Sequence, residues 1–228
     1  MDPLVVLNQA EAQGRIPKGI AKKVRSRMNY LSGAVARVER ASGLKYPPYY
    51  VEPALPVSRT AAEFGQTGVL FARVIPTTAT GSLSILVQFT AALVAFAPKG
   101  TMEAVAAHEF THYVDLVRRL RRSNVVSDER ATTLFEAAYA DGERTIQPSL
   151  VFSEKSLVAL VKRKFKDGLS DPSLNKRVEE GWMAKNLPVR AVAIDENVVR
   201  LGMDKIAAAK FDPALLQKLS QIESKMGS

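Results

Sequence analysis

The sequence predicts an α+β fold in which a small mixed sheet is flanked by N- and C-terminal helical segments. Before residue 44, and again after residue 150, apolar residues recur at the three- and four-residue steps of amphipathic helices. From about 66 to 97, short runs rich in β-branched and aromatic residues alternate with Pro, Thr and Gly, as strands do. We therefore expect an N-terminal helical segment (1–44), a central core with the sheet (45–150) and a mainly helical C-terminal lobe (151–228).

The first clear helix is predicted over residues 17–42. Its apolar residues share one face, and Gly43 directly after them is a typical helix stop. These residues are Ile20, Val24, Met28, Leu31, Val35 and Val38. The following "KYPPYYVEP" is expected to be extended, because two prolines exclude a helix there.

The central region is predicted to hold three strands and then two helices. The strands are "TGVLFARVI", "SLSILVQF" and "ALVAFAP" (92–98). After "PKGT" a helix is expected from near Thr101 to about Arg122. A second helix is expected from Ser127, as its N-cap, to about Tyr139.

Past residue 150 the pattern predicts helices again. Three places put a capping residue before helical spacing, namely Ser153, Ser170-Asp171-Pro172 and Asp212-Pro213. "LPVRAVAI" (187–194) is a candidate for one more extended segment.

Composition and charge limit the class of protein. There is no cysteine, which excludes a disulfide scaffold, a thiol nucleophile and a cysteine-zinc site, and fits a reducing compartment. No signal peptide or membrane span is expected, so the predicted location is cytoplasmic. The formal net charge is +9, with basic clusters at 22–27, 118–122 and 162–166. Such clusters can attract nucleic acid, but here they alternate with apolar residues, as on solvated helix faces.

The stretch "AVAAHEFTHYVDLVRRL" (104–120) contains both histidines of the chain, His108 and His112. On a helix they lie about 40° apart on one face, one turn from each other, so both side chains can bind one metal ion. Glu109 falls inside the apolar arc of that helix, where an uncompensated carboxylate is costly. A neighbouring metal ion and its water would compensate the charge, so the pattern favours a metal site.

The spacing is H-E-x-x-H, and the sequence here resembles the zincin metallopeptidases. The resemblance covers roughly residues 67–141 and implies Zn²⁺ bound by His108 and His112, with Glu109 as general base for hydrolysis of a peptide bond. In the family, the strand before the histidine helix runs along the rim of the cleft and pairs with extended substrate. The segment 92–98 is expected to be that strand.

A catalytic zinc ion needs a third protein ligand, and no histidine remains. The third ligand must therefore be a carboxylate, which indicates a gluzincin, whose third ligand is a Glu on a following helix. Glu129, Glu136 and Glu143 are seven apart, so periodicity does not choose among them. The resemblance of "LFEAAYADGE" to the gluzincin glutamate helix favours Glu136.

Two positions depart from the family pattern. Family members often carry an Asp four residues after the ligand Glu, but here position 140 is Ala. Asp141 or Asp115 is a candidate for the same role of orienting the first histidine. No His or Tyr follows Tyr139 to stabilise the oxyanion, and Arg190 is the candidate replacement, with Tyr49 or Tyr50 from upstream as alternatives.

Three functions were compared on these observations. The first is a zinc-dependent peptidase of gluzincin type acting on peptides or proteins. The second is a regulatory peptidase that cleaves one specific protein partner. The third is an inactive zincin-like protein that binds nucleic acid through its basic faces, and the intact Glu109 argues against it because a binding module needs no general base.

Overall fold

The computed structural model describes residues 1–58, 68–77, 83–122, 146–166, 168–192 and 208–226. It contains α-helices and small open sheets, as the α+β prediction requires. The described helices are α1 (Val5–Ala12), α2 (Lys18–Ser42), α3 (Ala91–Phe96), α4 (Lys99–Arg122), α5 (Pro148–Val151), α6 (Lys155–Lys164), α7 (Pro172–Gly181) and α8 (Pro213–Met226). The strands are β1 (Tyr49–Glu52), β2 (Leu55–Ser58), β3 (Gly68–Val69), β4 (Ala72–Thr77), β5 (Ser84–Thr90) and β6 (Val189–Val192).

The strands form two mixed three-stranded sheets. In the first, of order β1-β5-β4, β1 is parallel to β5 and β4 is antiparallel to it. In the second, of order β3-β2-β6, β3 is antiparallel to β2 and β6 is parallel to it. Pro76 lies in β4, at the end of the strand order, where the missing N–H is tolerated.

Helix α2 follows the sequence pattern closely. Its buried face includes Val24, Leu31 and Val38, which are fully shielded from solvent. Gly43 ends the helix with φ of 71°, and its N–H donates to Glu39 O at 2.8 Å. Glycine adopts this left-handed conformation without a steric penalty, which is why the helix stops here. The helix packs against α3 and α4.

Most of the segment 92–98 is helical in the structure, because α3 covers it as far as Phe96, so the prediction of a strand there was wrong. Helix α3 begins after Thr90, whose side-chain oxygen accepts a hydrogen bond from Leu93 N at 3.1 Å. Alanines at 91, 92 and 95 favour the helix, and all six residues of α3 are buried. A short, wholly buried apolar run has no periodicity that separates a helix from a strand.

The helix predicted from Ser127 to about Tyr139 lies outside the described residues. Several other local predictions are confirmed, with two differences. Helix α4 and β6 lie where they were expected, and α7 and α8 begin at the predicted Asp-Pro pairs. At the start of α7, Asp171 accepts a hydrogen bond from Leu174 N at 3.0 Å, and at α8 Asp212 accepts one from Ala214 N at 2.8 Å. The predicted start at Ser153 is displaced, because α6 begins two residues later. Helix α1 was not predicted.

One hydrophobic core joins residues from all three predicted segments. It includes Leu7 near the N-terminus, Phe89 and Phe110 in the central region, and Trp182 and Leu219 near the C-terminus. Trp182 is fully buried, and its indole N–H donates to Pro188 O at 3.1 Å. Of the described helices, none has the combination of length and apolar character that crossing a membrane requires.

Candidate metal centre

Helix α4 positions the three residues of the H-E-x-x-H motif. Its apolar side is inserted into the core, with Met102, Phe110 and Val114 fully buried. Two of the motif residues are also buried, since Glu109 is 7% exposed and His112 7% exposed. Packing on one side of α4 therefore fixes the orientation of the motif on the other.

The two imidazoles converge. Nε2 of His108 and Nε2 of His112 are 2.9 Å apart, and the ring planes are nearly perpendicular. Two nitrogens bound to one zinc ion at 2.0–2.1 Å in tetrahedral geometry would be ~3.3 Å apart. The observed separation is close to that value, so the two side chains fit a shared divalent metal ion, as the helical spacing predicted.

A cavity of about 100 Å³ lies beside these nitrogens, and we call it the histidine cavity. One wall is α4, a second is the β3–β4 segment, and the third is formed by two residues that follow α6. The lining residues are Val69, Leu70, Phe71, Ala72, Arg73, Val74, Val105, His108, Glu109, His112, Phe165 and Leu169. Both histidines and the buried carboxylate therefore meet in one small enclosure.

Among the described residues that line the histidine cavity, Glu109 is the acidic one. Its charge also acts on Tyr46, a buried residue that packs behind α4. Burial raises the pKa of Tyr46 well above its usual value, and the negative charge of Glu109 and the neighbouring Tyr49 raise it further. The carboxylate thus lies between the aromatic residues behind α4 and the cavity. This agrees with the predicted position of Glu109 within the apolar arc of the helix.

Phe165 lines the histidine cavity and was not predicted to be there. Its ring stacks on the imidazole of His108, with centroids 3.8 Å apart and planes at 6°. In the sequence Phe165 belongs to "KRKFK", where the basic neighbours drew attention to charge. The contact joins residues 57 positions apart, so local periodicity carries no signal for it.

Arg73 is a second unpredicted lining residue. It lies on β4, is 9% exposed, and donates from Nε to Oε1 of Gln88 on β5. Gln88 in turn donates from Nε2 to Oε2 of Glu52 on β1 at 2.7 Å. A buried cation among otherwise apolar strand positions was the available signal, since such a residue needs a specific partner or task.

Asp115 is held by arginines of its own helix. Its Oδ1 accepts hydrogen bonds from Arg118 at 2.9 Å (Nε) and 2.7 Å (Nη2), and its Oδ2 accepts one from Arg119 Nε at 2.7 Å. Asp115 is 3% exposed and is not among the residues that line the histidine cavity. Two charges of the 118–122 cluster are therefore engaged within the protein.

The proposed oxyanion residues lie elsewhere on the described surface. Arg190 is exposed on β6, where it pairs with Pro56 of β2. Tyr49 and Tyr50 are on β1, at the opposite end of the strand order from β4. Arg73, in contrast, lines the histidine cavity.

The predicted third ligand lies outside the described residues. Glu136, the alternatives Glu129 and Glu143, and Asp141 all belong to residues 123–145. Within the ranges that the structure describes, no group of three or more His, Asp or Glu side chains is arranged to hold a metal ion. The histidine pair and Glu109 are thus the described part of the site.

Comparisons with protein-family models, with curated proteins and with solved structures find no match to this chain.

Proposed function

We propose that the chain is a zinc-dependent metallopeptidase of gluzincin type. The observation that carries the proposal is the 2.9 Å approach of Nε2 of His108 to Nε2 of His112 in a cavity that also contains buried Glu109. Two neutral imidazoles and a carboxylate suit zinc chemically. His108 and His112 would hold the ion, and we propose Glu136 as the third ligand because of its place in "LFEAAYADGE".

Zinc, when bound, would lower the pKa of a coordinated water and polarise the carbonyl that is attacked. The protein's own groups do the rest. Glu109 lies within the same enclosure as both imidazoles, so its carboxylate can accept the proton of the attacking water and then deliver it to the departing amine nitrogen. The side chains of Val69, Phe71 and Val105 give the same cavity an apolar portion beside these polar groups.

We propose Arg73 as the cation that stabilises negative charge on the substrate during the reaction. It lines the same cavity as Glu109, and its bond to Gln88 orients the guanidinium. A preoriented cation in a partly dry site is effective because little solvent has to reorganise as charge develops. Arg190 remains the alternative that the sequence suggested.

The substrate is proposed to be a peptide or protein segment lying alongside β4. The β3–β4 segment forms the wall opposite α4, so an extended chain entering the cavity would run beside a strand. A regulatory peptidase that cleaves one particular protein is the second candidate, and it would use the same residues for the same chemistry. The absence of cysteine from the sequence suits a cytoplasmic location, which we also propose.

The test compares Glu109→Gln with Glu103→Gln. Both substitutions remove one carboxylate from α4, but Glu103 pairs with Arg37, and it is not among the cavity-lining residues. Zinc content is measured by elemental analysis, and cleavage is measured on a fluorogenic peptide library and on casein. We expect one zinc per chain in all proteins, and a loss of cleavage of roughly 10²–10⁴-fold in Glu109→Gln only.

Two outcomes would reject the proposal. One is purified protein whose zinc content does not fall in His108→Ala or His112→Ala. The other is cleavage that persists unchanged in Glu109→Gln. Cleavage of a single co-purified protein, with no cleavage of generic peptides, would select the regulatory peptidase. Salt-sensitive retention of DNA by a protein without zinc would select the nucleic-acid-binding alternative.

A further inference from the structure

A second concavity, distinct in its residues from the histidine cavity, lies between α2, the end of α3, and α7. Its volume is about 430 Å³. We call it the basic concavity, because four cationic side chains line it. They are Lys23 and Arg27 from α2, Arg177 from α7, and Lys185. Phe96 from α3 and Glu180 from α7 also line it. Of the described residues, none lines both this concavity and the histidine cavity.

The two arginines are hydrogen-bonded to backbone carbonyls at the carboxyl end of α3. Arg27 donates from Nε to Val94 O at 2.8 Å and from Nη2 to Ala97 O. Arg177 donates from Nη1 to Phe96 O at 3.3 Å. Each guanidinium has five N–H donors, so these bonds leave donors for a ligand.

Lys23 and Gly181 both contact the ring of Phe96 in this concavity. Nζ of Lys23 lies 3.9 Å above the centroid of the Phe96 ring. A Cβ at Gly181 would approach the same ring to 2.5 Å, so only glycine allows α7 to pack this closely on Phe96. The concavity is thus formed by close packing of three helices rather than by flexible surface side chains alone.

Among the residues that the structure describes, the positive charge of this concavity is not balanced. Four cations face one carboxylate, that of Glu180, which lies 3.8 Å from Lys176. In the described part of the chain, no carboxylate comes within ion-pair distance of Lys23, Arg27, Arg177 or Lys185. Burial lowers the pKa of Lys23, and the charges of Arg27, Lys185 and Arg177 lower it further, as mutual repulsion requires.

The other basic clusters differ. In the 118–122 cluster, Arg118 and Arg119 bind Asp115, and in the 162–166 cluster, Lys164 binds Asp171. Lys23, Arg27, Arg177 and Lys185, by contrast, meet at one concave place, and none of the described carboxylates forms an ion pair with them. A nucleic-acid duplex needs cations spread along the phosphate backbone, whereas converging cations suit a compact anion.

We propose that the basic concavity is a binding site for a compact, multiply charged phosphate anion of the diphosphate class. Arg27 and Arg177 would donate to phosphate oxygens, and Lys23 and Lys185 would add charge. Such a ligand exists both as free pyrophosphate and as the diphosphate of a nucleotide, and the concavity offers the same cations to both. The site is independent of the proposed peptidase reaction.

The experiment measures pyrophosphate and ADP binding to the full chain at fixed ionic strength. Calorimetry is the main readout, and the fluorescence of Trp182, the single tryptophan, which directly follows the lining residue Gly181, is a second one. Two matched pairs of variants are compared. Lys185→Gln removes a charge from the concavity, and Lys155→Gln removes one from an exposed position on α6. Glu180→Gln removes the opposing carboxylate, and Glu179→Gln removes its exposed neighbour.

We expect saturable binding of pyrophosphate that Lys185→Gln weakens by about fivefold and Lys155→Gln leaves nearly unchanged. Glu180→Gln should tighten binding by about threefold, and Glu179→Gln should change it less. A gain of affinity cannot result from a folding defect. Equal affinity of ADP and pyrophosphate assigns recognition to the phosphates alone, and tighter binding of ADP assigns further contacts to the nucleoside.

Three results would overturn the proposal. The first is no saturable binding of either probe at millimolar concentration. The second is equal loss of affinity in Lys185→Gln and Lys155→Gln, which would show only a general effect of net charge. The third is binding of duplex DNA that pyrophosphate does not displace and that Lys185→Gln weakens, which would assign the concavity to nucleic acid.

Discussion

The ring of Phe165 lies flat against the imidazole of His108, with centroids 3.8 Å apart and planes within 6° of parallel. Phe165 directly follows α6, which packs on α4 through buried Leu157 and Val161. The C-terminal lobe therefore supports one of the two proposed metal ligands. Stacking restricts the rotation of that imidazole and keeps its Nε2 directed at His112.

Replacing Phe165 with alanine should weaken zinc binding. Without the stacked ring, His108 gains rotameric freedom that metal binding must remove, and we expect an affinity loss of roughly tenfold. The measurement is competition with a chromophoric chelator at pH 7. Phe165→Leu, which keeps an apolar contact, should lose less affinity.

Phe211→Ala is the matched control, because Phe211 is also a partly buried phenylalanine packed on the core but is not a cavity-lining residue. It should lower stability without changing zinc affinity. Equal zinc affinity in Phe165→Ala and the unsubstituted protein would show that the stack does not position His108.

Replacing Asp171 should destabilise the protein at neutral pH. This buried carboxylate accepts hydrogen bonds from Thr101 at the start of α4, from Lys164 at 2.9 Å, and from Leu174 N at 3.0 Å. Asp171→Ala should lower the free energy of unfolding by about 2 kcal/mol, since both the helix cap and the ion pair are lost. Asp171→Asn keeps a capping oxygen and should cost less. Urea denaturation measures both.

The same residue predicts how stability depends on pH. Burial alone would raise the pKa of Asp171, but the hydrogen bonds from Thr101, Lys164 and Leu174 N outweigh it and hold that pKa well below its usual value. The stabilisation is therefore present above the unfolded-state pKa of about 3.9 and is lost as the pH falls further. Below about pH 4, Asp171→Asn should lose stability less steeply than the unsubstituted protein. Parallel curves would contradict this.

Tyr46→Phe should cost about 1 kcal/mol of stability. The buried hydroxyl of Tyr46 donates to Ala106 O on α4 at 2.9 Å, and phenylalanine leaves that contact unmade. Thermal denaturation measures the loss. Tyr30→Phe is the control, because Tyr30 is 37% exposed and a change there should stay within about 0.5 kcal/mol.

Tyr46 should also resist ionisation while the protein is folded. Burial, then the charge of Glu109, raises its pKa well above the usual value, so the fold favours the neutral phenol. Stability from this group is complete below the unfolded-state pKa of about 10 and declines as the pH rises above it. In an absorbance titration, the unsubstituted protein and Tyr46→Phe should ionise the same number of tyrosines while both are folded. After alkaline unfolding, Tyr46→Phe should ionise one tyrosine fewer. A difference between the two proteins before unfolding would contradict the burial.

Arg37→Met should remove two ion pairs that join α2 to its neighbours and so lower the free energy of unfolding. Arg37 binds Glu103 of α4 and Glu154 before α6, with Nε 3.1 Å from Oε1 of Glu154. Because Glu103 is mostly buried, leaving its carboxylate without Arg37 should lower the free energy of unfolding by about 2 kcal/mol. Arg40→Met on the exposed side of α2 is the control. In the double variant Arg37→Met/Glu103→Gln the losses should be less than additive, and additive losses would show that the pair is not coupled.

The sequence was sufficient for features that depend on neighbouring residues. The motif spacing predicted that His108 and His112 would share a face, and Asp171-Pro172 predicted a helix start, because both follow from the geometry of one turn. The amphipathic face of α2 was visible for the same reason. Helix α3 was mistaken for a strand, since a buried run of six residues gives no alternation to interpret.

Features that depend on distant contacts were not accessible from the sequence. Arg73 reaches the histidine cavity only because β4 lies beside α4, and Phe165 reaches His108 only because α6 packs there. Neither placement can be found from local spacing. The convergence of Lys23, Arg177 and Lys185 likewise requires three elements to meet. Charge clusters in the sequence showed which residues are basic, but not which of them are neutralised internally.

The long helix α2 contacts the rest of the protein along most of its length. At 25 residues it extends about 37 Å. Near the end of α2, Ala41 O accepts hydrogen bonds from the backbone N–H and the hydroxyl of Ser153. The segment that precedes α1 is also bound to the rest of the protein, because Val51 N of β1 donates to Pro3 O. Heat should therefore melt these parts together in a single calorimetric transition, and a protease that cuts within α2 should leave no fragment that keeps a native circular dichroism spectrum.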